Sequence, residues 1–431
     1  MSSLVTRAQI ILLARTLHVA PERLAHLERL GPDHLHELQQ RMAAALFEHH
    51  DDAFARISRL VPVIPLTISL PLVQRLVPPL LTGRAAGAVG IDHPRKAAET
   101  MAMLHPQYAA ECAPYMDPRA IGQLADIAPT EPIIDVVNEM LRRRDYVTAG
   151  PFLAYATPDL IEAVERGVPD DAGLIFSAAF AYSGSAVSTI VRHFLNGATG
   201  RIPRMVHSVL KGPPDLQAAA ITVFSRCEPD VVTAVGDILF DLAPAAGIGA
   251  LIGAAVRGGA GAELLTFTGR LSPAALRKLA GNPVLYDGAV LPALVGALAA
   301  NSRADSWRGL GELAMRMDVD TRRYVARWIS ELPDDTIREL PTHATETELW
   351  PSLLRLVAVA DTDVQNRFGA VWATLSPERQ AGLQRHIHEY QMDNRLAAIT
   401  AAAQPMSMEE VFFRRRRMGR HRGPEDTWKL G

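Results

Sequence analysis

The chain has 431 residues, 48% of them apolar and 21% charged, with a formal net charge of −3. That balance excludes a disordered chain and excludes whole-molecule attraction to nucleic acid. Its two cysteines, Cys112 and Cys227, stand 115 residues apart, which excludes a disulfide framework or a CxxC pair and fits a reducing cytoplasm.

In chain order, the start "MSSLVTRAQIILLARTLHVAPERL" has only seven uncharged residues between Arg7 and Arg15. A secretory apolar region is usually longer and ends at a small-residue cleavage site, so a folded helix is predicted, with Leu4, Ala8, Ile11 and Leu12 on one face. A second helix starts at "GPDHL" near residue 31. "FEHHDDAF" (47–54) then holds the densest group of potential ligands. Glu48 and Asp52 are four apart and His49 and Asp52 three apart, so a helix places them on one face. With His34 or His36 from a preceding helix they are a candidate divalent-metal site, weighed against a solvated face with ordinary helical contacts, which is favoured. Six of the 14 histidines fall in the first 50 residues. No other cofactor is indicated.

"VPVIPLTISLPLV" (61–73) and "LAPAAGIGALIGAAV" (242–256) are uncharged, but both fall short of the roughly 20 residues a spanning helix needs. Each is expected to be a buried connection, with a surface-lying segment as the less favoured alternative. Beyond residue 78 helical periodicity dominates. In "EPIIDVVNEMLRRRD", Ile133, Ile134, Val137, Met140 and Leu141 make one stripe and Arg142, Arg143 and Arg144 close the helix against its macrodipole. Helix starts recur as x-P-polar: "DPRAI" at 117, "APTEPI" at 128, "TPDLI" at 157, "VPDDA" at 168, "EPDVV" at 228, "SPAAL" at 272, "LPDDT" at 332 and "SPERQ" at 376. Proline suits the first turn because its missing N–H would have no partner there. Strand alternation is scarce.

Spacing argues for repetition. Pro118 and Pro129 are 11 apart, as are Pro158 and Pro169; the pairs are offset by 40, and Pro79 precedes Pro118 by 39. The predicted fold is all-α: an α-solenoid, or superhelical array of short helix pairs of HEAT-like kind, with a repeat of about 40 residues. Expected divisions are an N-terminal helical cap over 1–60, the array over 61–408 (most regular over 79–200) and a basic flexible tail over 409–431.

No catalytic motif appears. "AGIGALIGAAVRGGAGAE" (246–263) reads GxGxxxG with no preceding strand, so a close-packed helix pair is expected rather than a dinucleotide loop. "AYSGSAVS" (181–188) lacks the nucleophile-elbow frame. The pattern of "MDPRAIGQLADIAPTEPIIDVV" resembles the helical N-terminal domain of bacterial magnesium channels of the MgtE type, over roughly residues 79–175. The resemblance implies a superhelical fold. It also implies magnesium-sensing acids at domain faces, for which Asp170, Asp171, Asp334 and Asp335 are the positions; the spanning helices of that family have no counterpart here.

The tail "MEEVFFRRRRMGRHRGPEDTWKLG" is the strongest oddity. Residues 409–431 carry seven Lys/Arg against four acids, leaving −6 on the rest of the chain. Phe412, Phe413, Arg414, Arg415, Arg416, Arg417, Arg420, Arg422 and Trp428 are candidate binding residues for a protein partner or neighbouring subunit. An anionic membrane surface ranks below these, and nucleic acid lower still. The expectation is a non-catalytic, cytoplasmic interaction scaffold that self-associates, with peripheral membrane attachment as a variant. The alternative is a helical protein binding an apolar ligand such as a lipid or isoprenoid, with or without enzymatic activity.

Overall fold

A computed structural model of the chain describes residues 4–49, 66–116 and 118–403. Among them every regular element is an α- or 3-10 helix, and no strand occurs. The fold is all-α. None of the described helices is long and apolar enough to cross a membrane. The chain divides into two compact units, Met1–Arg316 and Met317–Gly431.

Local chemistry explains where the helices begin. Proline occupies the first turn of Pro158–Gly167, Pro229–Leu242, Pro273–Ala280 and Pro377–Glu389. Side-chain caps accept the next free amides: Thr157 from Leu160, Asp170 from Gly173, Ser272 from Ala275 and Asp318 from Thr321. Each satisfies a donor that the helix itself cannot. Tyr182 and Ser183 precede Gly184–Asn196, and Ser183 caps that helix rather than serving as a nucleophile.

The opposite helix ends are tied by cations from later in the chain. Arg201 donates to the carbonyls of Val164, Glu165 and Val168, closing Pro158–Gly167. Arg226 donates to Ala178, Ala179 and Ala181 at the end of Asp171–Phe180. Burial lowers the Arg226 pKa to about 10, so it keeps its charge at neutral pH. Arg270 does the same for Ser225 and Cys227 after Pro214–Arg226. The acceptors lie 33 to 48 residues upstream of their arginines. A rigid guanidinium fork meets several orphan carbonyls at once, and the negative end of the helix dipole favours it. In the second unit Arg367 reaches the Ser330 carbonyl and Trp372 the Ile337 carbonyl.

Several expectations need adjustment. The buried residues of Leu4–Leu17 are Val5, Thr6, Ala8, Gln9, Ile10, Leu13 and Ala14; of the predicted stripe Ala8 is among them, while Leu4, Ile11 and Leu12 are half-buried. The helix is covered on two sides, by Gly31–His49 and by the 146–180 region, so its apolar stripe alone does not set its orientation. Residues 61–65 of the first apolar stretch lie outside the described residues. The remainder is not a buried connection: it is the helix Leu66–Leu76 with Pro71 inside. Leu70 is buried, but Thr67, Pro71, Leu72 and Leu76 are exposed, so water can meet the carbonyl that Pro71 leaves unbonded. Arg142 and Arg143 do end Thr130–Arg142, but both also clamp the Glu139 carboxylate. These bonds hold Glu139 at about 2, well below the usual carboxylate range.

Candidate functional site

Between the helices of residues 66–226 lies a partly open cavity of about 630 Å³. Leu70, Val73 and Val89 line it from one side, Leu124, Ile133 and Val137 from another, and Phe194, Ile202 and Phe224 from beyond. The Ile133/Val137 stripe read in the sequence therefore faces open space as well as core; Ile134, Met140 and Leu141 are buried. Few polar side chains reach this wall. Ser177 donates to the Gly173 carbonyl within its own helix. Cys112 is buried, and burial pushes its thiol up to about 12; it stays protonated and unreactive. Among the lining residues, the Val77 carbonyl accepts from Tyr108 at 2.8 Å and Thr82 Oγ1 lies 2.6 Å from the Tyr108 hydroxyl.

Adjoining it is a second chamber of about 480 Å³, between Leu4–Leu17, Gly31–His49 and residues 113–183. Ala113, Met116, Ile121, Phe152 and Tyr155 line both spaces. This chamber carries more polar groups than the first, although most of its lining surface is still apolar. Arg15 donates to Thr148 Oγ1 at 2.6 Å and pairs with Asp145 at 3.0 Å. The His36 ring stacks on Tyr182 at 3.8 Å between centroids, with Nδ1 3.2 Å from Gln9 Oε1. Tyr182 donates in turn to Asp33 at 2.9 Å. Arg84 donates to His18 Nε2; His18 sits in the left-handed region, at φ 54°.

Burial lowers the His36 pKa against the opposing pull of Asp33. The folded state thus favours the neutral ring, whereas the unfolded chain takes up a proton below 6.5. The stability this confers is full above that value and is lost as pH falls through the folded pKa. The expected result is that wild type loses stability relative to His36→Phe, which keeps the stack, when unfolding is compared at about pH 7.5 and about pH 5.5. An unchanged difference between the two proteins would contradict it.

Of the candidate metal residues, the described His34 and His36 are not brought to Glu48. Gly31–His49 is one continuous helix, so His34 and His36 sit at its start and Glu48 and His49 at its end. Residues 36 and 48 are separated by about 18 Å along the axis, because no turn folds one group back on the other. Glu48 is exposed and Asp52 lies outside the described residues. Among the described residues no three His, Cys, Asp or Glu side chains group as a metal site. The acids implied by the channel resemblance have protein partners. Asp170 caps a helix, Asp171 pairs with Arg201 at 2.9 Å and Arg204 at 3.1 Å, and Asp334 and Asp335 pair with Arg367 and Arg338. Phe412, Phe413, Arg414, Arg415, Arg416, Arg417, Arg420, Arg422 and Trp428 all lie outside the described residues.

The sequence reading passed over Arg15, His18, Arg84 and Tyr182. The surplus of histidines in the first fifty residues was the one available signal. No family model matches this chain, and a search of the curated proteins finds no match.

Proposed function

We propose that this chain is a helical-repeat protein that holds an apolar ligand in the cavity of residues 66–226. The observation that supports this is a space of about 630 Å³ walled almost wholly by aliphatic and aromatic carbon, within the size range of small-molecule sites. Unfilled apolar space costs stability because its lining atoms lose dispersion partners. A repeat protein that only presents an outer surface gains nothing in return, which favours the ligand-binding reading over the scaffold reading. The described wall offers no activated nucleophile, so binding rather than catalysis is the role proposed.

Uptake of phenylnaphthylamine, a neutral dye that brightens in apolar surroundings, tests this. Ala85 lines the cavity and is half-buried. Ala85→Phe should weaken dye binding about tenfold or more, with little change in unfolding midpoint, because the new ring enters existing space. Equal dye binding by Ala85→Phe and wild type, or no uptake by wild type, would refute the reading.

A second reading, an interaction protein that self-associates, draws on Leu72, Leu76 and Leu81, which are 55%, 72% and 50% exposed on consecutive helices. Native mass spectrometry of gently purified protein separates the two. A lipid-sized increment on 46.8 kDa supports the ligand, whereas a clean integer multiple with nothing bound supports the scaffold.

A further inference from the structure

The two chambers differ in chemistry and share a wall, and that pairing specifies a ligand more closely than the apolar cavity alone. We infer that the ligand is a single-chain amphiphile with an anionic head, its hydrocarbon in the apolar cavity and its head against Arg84 in the more polar chamber. This rests on the ligand-binding reading above.

The more polar chamber's described lining includes Arg15, Arg84, His18 and His36 and contains no Asp or Glu. Arg15 has its charge offset by Asp145 at 3.0 Å. Arg84 does not: among the described residues its side-chain partner is the His18 ring, which offers a lone pair and no negative charge. Arg84 is half-buried as a residue but its contact with His18 is exposed, so an anion entering the chamber would gain a charge-assisted hydrogen bond at a guanidinium that solvent also reaches. A carboxylate or phosphate monoester entering the chamber would take the Arg84 donors from His18. Gln39, Gln40 and Tyr115 on the same wall can add hydrogen bonds to the remaining oxygens.

Adjacency supplies the second half of the argument. Met116, Ile121 and Phe152 line both chambers, so the two spaces abut across these side chains, and the proposal requires them to move aside for a chain whose head sits by Arg84. Each methylene buried there adds about 0.8 kcal/mol of transfer free energy, and the charged head fixes the direction of entry. A purely apolar ligand would leave the guanidinium uncompensated, and a small anion would leave the hydrocarbon wall unfilled.

The test is competition for bound phenylnaphthylamine by oleate, oleyl phosphate and oleyl alcohol, in the wild-type full chain and in Arg84→Ala. Wild type should prefer one or both anions over the alcohol by about tenfold or more, the worth of a charge-assisted hydrogen bond. Arg84→Ala should abolish that preference while leaving the affinity for the alcohol unchanged. Tighter binding by oleate identifies a carboxylate head, and by oleyl phosphate a phosphate head. Should Arg84→Ala fail to fold, Arg84→Gln carries the same comparison. Equal wild-type affinities for anion and alcohol, or a preference that survives removal of Arg84, would overturn the head-group assignment and leave the cavity reading standing. Failure of the dye and of all three competitors to bind would instead remove the cavity reading itself.

Discussion

Gly309→Ala should destabilise the protein by about 3 kcal/mol or more, although alanine is intrinsically the better helix former by about 1 kcal/mol. Gly309 lies on Ala304–Ala314, which crosses Gly261–Thr268. A Cβ added there would stand 1.7 Å from the Leu265 carbonyl oxygen, 2.6 Å from its carbon and 3.0 Å from the Gly269 nitrogen. These are backbone atoms, so no rotamer change relieves the overlap and the two helices must separate. Separation would also break the bonds that pin the crossing, Thr266 Oγ1 to Ser306 Oγ at 2.8 Å and Ser306 to the Ala262 carbonyl at 3.1 Å. Urea unfolding measures the cost. Gly296→Ala is the control: it lies within Val290–Ala300 with nothing within 4 Å of its added Cβ, and should stabilise by about 0.5–1 kcal/mol. Equal effects at the two glycines would show that the crossing is not tight.

The second large effect is expected at Arg201. Its side chain is fully buried, donates to three carbonyls at 2.6 to 2.9 Å, pairs with Asp171 at 2.9 Å and lies over the Phe194 ring at 5.2 Å. Arg201→Met keeps most of the volume but strands the carbonyls at the end of Pro158–Gly167 and leaves Asp171, itself buried, without this partner. Removing one member of such a buried pair costs about 3–5 kcal/mol. Arg201→Lys should recover only part, since an ammonium cannot span the carbonyls and the carboxylate together. Thermal or denaturant unfolding of the two variants checks this; a loss below about 1 kcal/mol for Arg201→Met would show that the network relaxes around the gap.

Helix starts were legible because their determinants are local. Thr157 with Pro158, Asp170 with Asp171, and Ser272 with Pro273 each place a cap and a first-turn residue within two positions, and the amide each satisfies is three residues on. The stripe from Ile133 to Leu141 was equally legible as apolar, but not as core or cavity wall. A side chain beside an open space and one beside a packed neighbour have the same periodicity. Close packing was expected among the glycines of 246–263, yet a tighter crossing lies at Gly309, because how nearly two helices approach depends on both partners. For the metal candidates, residue types alone suggested grouping His36 with Glu48, and the continuity of one helix separates them.

By itself, then, the sequence determined the all-α class and the helix starts, because capping, proline placement and apolar period act within a few residues. It also carried a spacing of about 40 residues between similar helix starts. Only the tertiary structure decided which arginine closes which helix, since acceptor and donor lie 33 to 48 residues apart. It alone brought Arg15, His18 and Arg84 from two distant segments to one chamber. Such a site is a sum of long-range contacts whose members have no sequence spacing in common, and the apolar cavity beside it is defined by atoms that are absent.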